Sequence, residues 1–324
     1  MTTQAGFWLD SFLAPLAPWL AREDVTDIWI NRECEIWIET LGGTIESFPD
    51  PALTEQLLTR LARQIAAYGS QGISRAQPLL AASLPDGSRV QVVAPPATRS
   101  GHVLAIRRHV KSDLTLSDWA DADAFTDLTE GSGSIDQART WRTVGSREAK
   151  TMLGDAVRKR RNIVISGGTS TGKTTFLNAL LAEIPANERL VTIEDTEELR
   201  LTHANSVGLI AARGQLAEAE IGAEDLLIAA LRMRPDRIIL GELRGHEAFT
   251  FLRAVNTGHP GSMTTIHSDT PRRAIEQLAL LVLQAGSRLS RDDVRHYVQE
   301  SIDVFVQLER RDGRRRVAQL MVAE

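Results

Sequence analysis

The sequence predicts an α/β protein with two domains. A mostly parallel, helix-covered sheet carries a phosphate-binding loop, and a small α+β domain precedes it. Three observations predict this. First, Asn162 to Asn178 reads N-I-V-I-S-G-G-T-S-T-G-K-T-T-F-L-N, an apolar strand, a glycine-rich loop and then a helix pattern. Second, strand-like and helical patterns alternate from residue 148 onward, the order that builds parallel sheets. Third, all six tryptophans (Trp8, Trp19, Trp29, Trp37, Trp119, Trp141) lie before residue 142, so the two parts differ in character.

In order along the chain, Phe7 to Leu20 reads as an amphipathic helix interrupted by Pro15 and Pro18. The runs I-W-I-N and E-I-W-I-E alternate as half-buried antiparallel strands do, and Gly42-Gly43 marks the next turn. Asp50-Pro51 opens a helix with Leu53, Leu57, Leu58, Leu61 and Ile65 on one stripe. R-V-Q-V-V and V-L-A-I-R-R are strands on either side of a Pro95-Pro96 loop. A short helix is expected around Leu116 to Phe125. The stretch from Glu130 to Ser146 lacks periodicity and reads as a linker. The expected division is an α+β domain over 1–128, a linker over 129–147 and the phosphate-loop domain over 148–324.

Within that last domain, helices are expected over Ala149–Lys159, Thr174–Ile184 and Glu224–Arg232, near His246–Val255, and over Pro271–Leu283 and Asp292–Ser301. The strands are I-V-I, R-L-V-T-I-E-D, D-R-I-I-L-G-E-L and S-M-T-T-I-H. Val304–Leu308 and Val317–Val322 flank Asp312-Gly313 as a terminal hairpin, whose Arg-rich tip reads as a solvated edge.

Composition narrows the function classes. The 324 residues are 43% apolar and 24% charged, with a net charge of −5, which implies no general affinity for nucleic acid. A single cysteine, Cys34, rules out an internal disulfide and a cysteine-rich zinc site. The N-terminus lacks a signal-peptide pattern, and no apolar run approaches the ~20 residues of a membrane span. A cytoplasmic protein touching membranes only peripherally is the expectation.

The chemistry follows from the loop. Gly167, Gly168, Thr169, Ser170, Thr171, Gly172, Lys173, Thr174 and Thr175 are the nucleotide-binding candidates. Successive backbone N–H groups and a helix N-terminus converge on one anion there. Lys173 brings a cation to the outer phosphates, and the Thr174 hydroxyl suits Mg²⁺. Partners are expected where neighbouring strands end. Ile193-Glu194-Asp195 and Leu240-Gly241-Glu242 each end a strand in carboxylate, and His267 ends another after His259. Glu242 is placed to hold Mg²⁺ through water or to polarise the nucleophile. Glu194 is the other candidate, and which is the base stays open. His267 or His259 would sense the γ-phosphate.

The blocks G-G-T-S-T-G-K-T-T, T-I-E-D-T-E-E-L, R-M-R-P-D-R-I-I-L-G-E-L-R and N-T-G-H-P-G-S-M-T-T-I-H occur in this order. They resemble the Walker A, Asp box, Walker B and His box of the secretion-system hexameric ATPases. The pattern is most similar to the traffic ATPases of type IV secretion, and it extends upstream through L-P-D-G-S-R-V-Q-V-V and A-I-R-R. The resemblance implies a RecA-like ATPase domain that hydrolyses ATP with Mg²⁺. It implies a homohexameric ring docked on the cytoplasmic faces of inner-membrane secretion proteins, energising assembly or substrate transfer. Nucleotide would lie between the two domains of a subunit, with Arg89 and Arg107 as the arginines that reach its phosphates. Arg234, Arg237 and Arg244 match family arginines placed to bridge subunits. The Walker B strand ends in Gly241-Glu242 where a simpler phosphate-loop protein has aspartate, so direct ligation of metal by an aspartate is not expected. The nearest alternative is a pilus assembly or retraction motor. A RecA-like nucleic-acid motor would share the fold, but no basic stripe with interleaved aromatics supports it, and no sequence-specific nucleic-acid binding is expected. A GTPase switch or small-molecule kinase is a third reading, weakened by the lack of an N-K-x-D motif.

Overall fold

The computed structural model describes residues 9, 11–41, 43–99, 101–108, 114–128, 131–136, 139–211, 221–311 and 313–324, the backbone alone at 131–136 and 139. Trp8, the Gly42 half of the first turn and the Asp312 half of the last lie outside them. Two compact units result, Met1–Lys111 and Ser112–Glu324, residues 212–221 aside.

The first unit is one antiparallel sheet with a helix on it. Its strands are β1 (Val25–Ile30), β2 (Glu35–Thr40), β3 (Ile45–Pro49), β4 (Leu79–Ser83), β5 (Arg89–Val93) and β6 (Val103–Arg107), in the order β3-β2-β1-β6-β5-β4. Alternation does the sorting: Ile28, Ile30, Ile36, Ile38, Val90, Val92, Leu104 and Ile106 are buried, and their neighbours face away. Prolines break the first helix as expected, leaving a 3₁₀ turn (Ala14–Leu16) and α1 (Ala17–Leu20). The second helix, α2 (Glu55–Tyr68), begins later than the Asp50-Pro51 signal suggests. Asp50 instead caps a turn at Ala52, and the Thr54 hydroxyl accepts from Leu57 N as the helix N-cap. Leu58, Leu61, Ala62 and Ile65 then pack on the sheet.

The second unit holds α3 (Leu116–Asp121), α4 (Ser146–Arg158), α5 (Lys173–Leu181), α6 (Ala223–Leu231), α7 (Glu247–Asn256), α8 (Pro271–Gln284) and α9 (Arg291–Ser301). They surround a nine-stranded sheet. Its strands are β7 (Gly131–Asp136), β8 (Arg139–Thr143), β9 (Ile163–Gly167), β10 (Leu190–Glu194), β11 (Ser206–Ile210), β12 (Arg237–Leu243), β13 (Met263–Ile266), β14 (Val304–Arg311) and β15 (Arg314–Ala323). The order is β11-β10-β12-β13-β9-β14-β15-β8-β7. Pairing is parallel from β11 to β14 and antiparallel beyond. β9, β10 and β13 are buried at every position, as strands covered on both faces must be.

Two expectations need correction. The stretch expected as a linker contains β7 and β8, and Trp141 on β8 is fully buried against Phe305, ring centroids 5.4 Å apart. The expected division groups residues 116–128 with the N-terminal domain. They pack in the second unit, because Leu116, Trp119 and Phe125 share a core with Leu153, Val157 and Leu180. Trp119 meets Phe176 edge-on at 4.9 Å. The terminal hairpin is built into the sheet, with β14 beside β9 in parallel and β8 pairing β15 at Met321–Ala323, while Arg311 and Arg314 at its Arg-rich tip are exposed.

Candidate functional site

The site lies in the second unit, where parallel strands β12, β13, β9 and β14 all end on one side of the sheet. β9 leaves the core at Gly167 and the chain turns sharply into α5. A Cβ at Gly167 would stand 2.5 Å from Thr171 Oγ1 and 3.0 Å from the Leu308 carbonyl, so only glycine fits. Gly172 caps α5 at φ +92°, in the left-handed region. The Thr171 hydroxyl donates to Gly168 O at 2.9 Å and braces the loop. Lys173 Nζ lies over this loop, donating to Gly167 O at 2.9 Å and Gly168 O at 3.0 Å. Thr174 and Thr175 follow in the first turn of α5, half-buried.

Glu242 is brought to the loop by an irregularity in β12. Leu240 pairs with Thr264 but Leu243 pairs with Ile266, so β12 carries one more residue than β13 over this span. Such a bulge re-aims side chains. The Thr265 hydroxyl donates to Gly241 O at 2.8 Å and fastens it. Arg244 Nε donates to Glu242 Oε2 at 2.6 Å, and Arg244 Nη1 reaches Asp195 Oδ2 at 3.3 Å. His267 Nε2 stands 3.1 Å from Glu242 Oε1 and 3.4 Å from Lys173 Nζ. That approach to Glu242 lacks hydrogen-bond alignment. Oε1 is buried with no hydrogen-bond partner among the described residues. Lys173 and Glu242 thus both approach the His267 imidazole.

Glu194 has a different environment. Its carboxylate Oε2 accepts from the backbone N–H groups of Glu198 at 2.8 Å and Leu199 at 2.7 Å. Burial pushes this carboxyl up from its ordinary 4.5 to about 7, against the lowering effect of those two donors. It orders the loop that follows β10. His259 also separates from the site: it sits before β13, on the Pro235 carbonyl at 3.1 Å, while His267 follows the far end of the same strand.

Of the Walker B arginines, Arg237 cannot bridge subunits. It is wholly buried, with Nε and Nη2 donating to the two oxygens of Glu188 at 2.7 and 2.8 Å. Only Arg244 reaches the site residues above. In the first unit, Arg89 and Arg107 are direct partners across β5 and β6, and Arg107 also faces Asp27 on β1. These three thus share one face of that sheet, the face opposite Val90 and Ile106.

Residues that sequence reasoning missed fall on neighbouring strands. The Arg315 stem lies against the loop, its Cδ 2.8 Å from where a Gly172 Cβ would stand. Gln307, on β14 beside β9, bonds Ser166 and Ser268. A lone glutamine in V-F-V-Q-L was the one available signal.

A family model described as "Type II/IV secretion system protein" matches residues 138–318. The type IV secretion system protein VirB11 of Bartonella henselae is 37% identical over 326 residues, covering 95% of this chain and 91% of that protein. The PtlH homolog of Bordetella bronchiseptica, also named a type IV secretion system protein, is 41% identical over 328 residues, covering 96% and 94%. Among solved structures, the Legionella pneumophila ATPase DotB superposes with a TM-score of 0.62 over 98% of this chain and 81% of that one. At 19% identity, that likeness shows the fold.

Proposed function

Since the chain belongs to the type II/IV secretion system protein family and is an ATPase of that family, we propose that it is a type IV secretion motor in which Lys173, Glu242 and His267 carry the γ-phosphate chemistry. The observation that carries this reading is their convergence at the mouth of the glycine-rich loop, within 3.1 to 3.4 Å of one another through His267. A pilus motor or a nucleic-acid motor is not favoured by the relatives.

Each residue has a definable task. The loop amides and the α5 N-terminus cradle the phosphates. Lys173 exchanges its carbonyl partners for phosphate oxygens. Glu242 orients the attacking water and accepts its proton. His267, between Glu242 and Lys173, donates to the transferring phosphoryl group. Arg244 holds Glu242 and ties it to Asp195. Glu194 keeps the 195–199 loop in place rather than acting as the base.

Mg²⁺ fits these residues. Glu242, whose buried Oε1 makes no hydrogen bond among the described residues, would hold it through water, and the Thr174 hydroxyl would bind it directly; both are hard oxygen donors of the kind that bind it alongside substrate phosphates. When bound, Mg²⁺ neutralises charge developing on the phosphate oxygens.

Arg89 and Arg107 supply counter-charge from the N-terminal sheet. The two guanidinium-bearing residues stand opposite each other on one sheet face, so a single anion could draw on both. Coupling charge stabilisation to a separate domain makes hydrolysis drive domain motion. The working form on this reading is a homohexameric ring, docked peripherally at the cytoplasmic face of inner-membrane secretion proteins. No helix among the described residues is long and apolar enough to cross a membrane.

The test is nucleotide binding and phosphate release by full-length protein. Lys173→Ala is expected to lose nucleotide affinity. Glu242→Gln is expected to bind normally and turn over roughly 10²- to 10³-fold more slowly, the usual size of a lost electrostatic or base function. Wild-type turnover by Glu242→Gln would remove Glu242 from the mechanism. Light scattering with a non-hydrolysable ATP analogue checks the ring against the 35.6 kDa chain mass.

A further inference from the structure

Gln307 lies at the join between the glycine-rich loop and the histidine strand, and it is nearly fully buried. On β14 it pairs in register with Ser166, the residue before Gly167, and Ser166 pairs on its other side with Ile266, the residue before His267. The glutamine side chain spans this row. Its Oε1 accepts from Ser166 Oγ at 2.5 Å, and its Nε2 donates to Ser268 O at 3.1 Å and Leu308 O at 3.0 Å.

The β14–β15 ladder shifts register between Gln307 and Leu308, a local break of the kind that redirects a side chain. A buried amide with both ends satisfied holds one orientation, because turning it over would set its Oε1 against the Ser268 and Leu308 carbonyls, acceptor against acceptor.

We propose that Gln307 is a positioning residue for hydrolysis: by bonding Ser166 and the Ser268 carbonyl together, it sets the height of His267 over the glycine-rich loop. The proposal rests on the role given to His267 above. Ser268 is the next residue after His267, so the Ser268 carbonyl defines where the imidazole begins its reach toward Lys173 and Glu242. Nothing in Gln307 touches the nucleotide cradle itself, whose atoms are held by Thr171, Lys173 and the backbone. Turnover should therefore depend on Gln307 more than affinity does.

The experiment measures nucleotide Kd, kcat and thermal midpoint for full-length Gln307→Leu, His267→Ala and the double variant. Gln307→Leu is expected to keep Kd within about twofold. Its kcat should fall about tenfold, within the range by which small misplacement of a reacting group slows an enzyme. The double variant should be no slower than His267→Ala alone, because both changes remove the same contribution. Multiplying losses in the double variant, or unchanged kcat in Gln307→Leu, would overturn the proposal while leaving His267 in its role. Wild-type kcat in His267→Ala would overturn the parent reading and the proposal with it. If Gln307→Leu does not fold, Ser166→Ala removes one end of the bridge. It should lower kcat by about threefold, again with no further loss on the His267→Ala background, and independent losses would refute the bridge.

Discussion

The two sheets treat polar residues in opposite ways. In the antiparallel N-terminal sheet β1, β5 and β6 each have one buried face and one that is not, so Asp27, Arg89 and Arg107 occupy positions where a polar residue is unremarkable. In the C-terminal sheet β9, β10 and β13 are buried at every residue. A polar group there is expensive unless it is bonded: Ser166 and Thr265 meet Gln307 and Gly241, and on the neighbouring strand β12 the buried Arg237 meets Glu188. A polar residue on a covered strand therefore carries information that the same residue on a half-covered strand does not.

The contrast can be broken at its deepest point. Arg237→Met removes the partner of buried Glu188, and we expect about 3–5 kcal/mol of lost stability in chemical denaturation, less whatever Arg160, 3.3 Å from Glu188, restores. Adding Glu188→Leu should recover most of that loss, since a well-packed apolar pair replaces a buried ion pair at little cost. A loss under about 1 kcal/mol, the scale of an exposed pair, would mean that burial does not govern the value of polar groups here.

Glu194 sharpens it next, through pH. Its folded value of about 7 lies above the ordinary 4.5, so the folded protein holds this proton more tightly than the unfolded chain does. The stability it contributes is present below about pH 4.5 and is lost as pH rises through about 7, in full about 3 kcal/mol. Glu194→Gln keeps an oxygen acceptor for the Glu198 and Leu199 amides and removes the charge. Relative to wild type, its thermal midpoint should improve from pH 5 to about pH 7 and level off above that. A pH-independent difference would contradict the assigned burial.

The smallest effect is expected in the other sheet. Arg89→Ala and Arg107→Ala should leave the thermal midpoint within the small range typical of surface changes, yet each should slow turnover about tenfold, ~1.4 kcal/mol. Normal turnover in both variants would return these arginines to an ordinary solvated strand face.

How much was legible followed the same division. The glycine-rich loop could be read from residues alone, and the carboxylate and histidine were narrowed to Glu242 or Glu194 and His267 or His259, because each stands where an apolar run meets a loop. Arg89 and Arg107 could not, and their assignment leaned on family resemblance. The 129–147 stretch misled because Gly131, Ser132, Gly133 and Ser134 lack strand-forming side chains. Its strands exist because β15 offers an edge on which β8 and then β7 can pair. The Asp50-Pro51 signal misled by four residues, since Asp50 serves a turn and Thr54 makes the better cap.

By itself, then, the sequence determined what is encoded within a few turns of chain: the phosphate-binding loop, the alternating and continuous apolar strands, the helix stripes and the order of the four blocks. Only tertiary structure decided which strand lies beside which. Strand order sets β14 against β9, puts Gln307 between Ser166 and Ser268, and brings His267 within reach of both Glu242 and Lys173. Those contacts join residues up to 141 positions apart, as in the Ser166–Gln307 bond. Local propensity cannot specify such pairings, because they exist only when the whole sheet closes its hydrogen bonds and buries both faces at once.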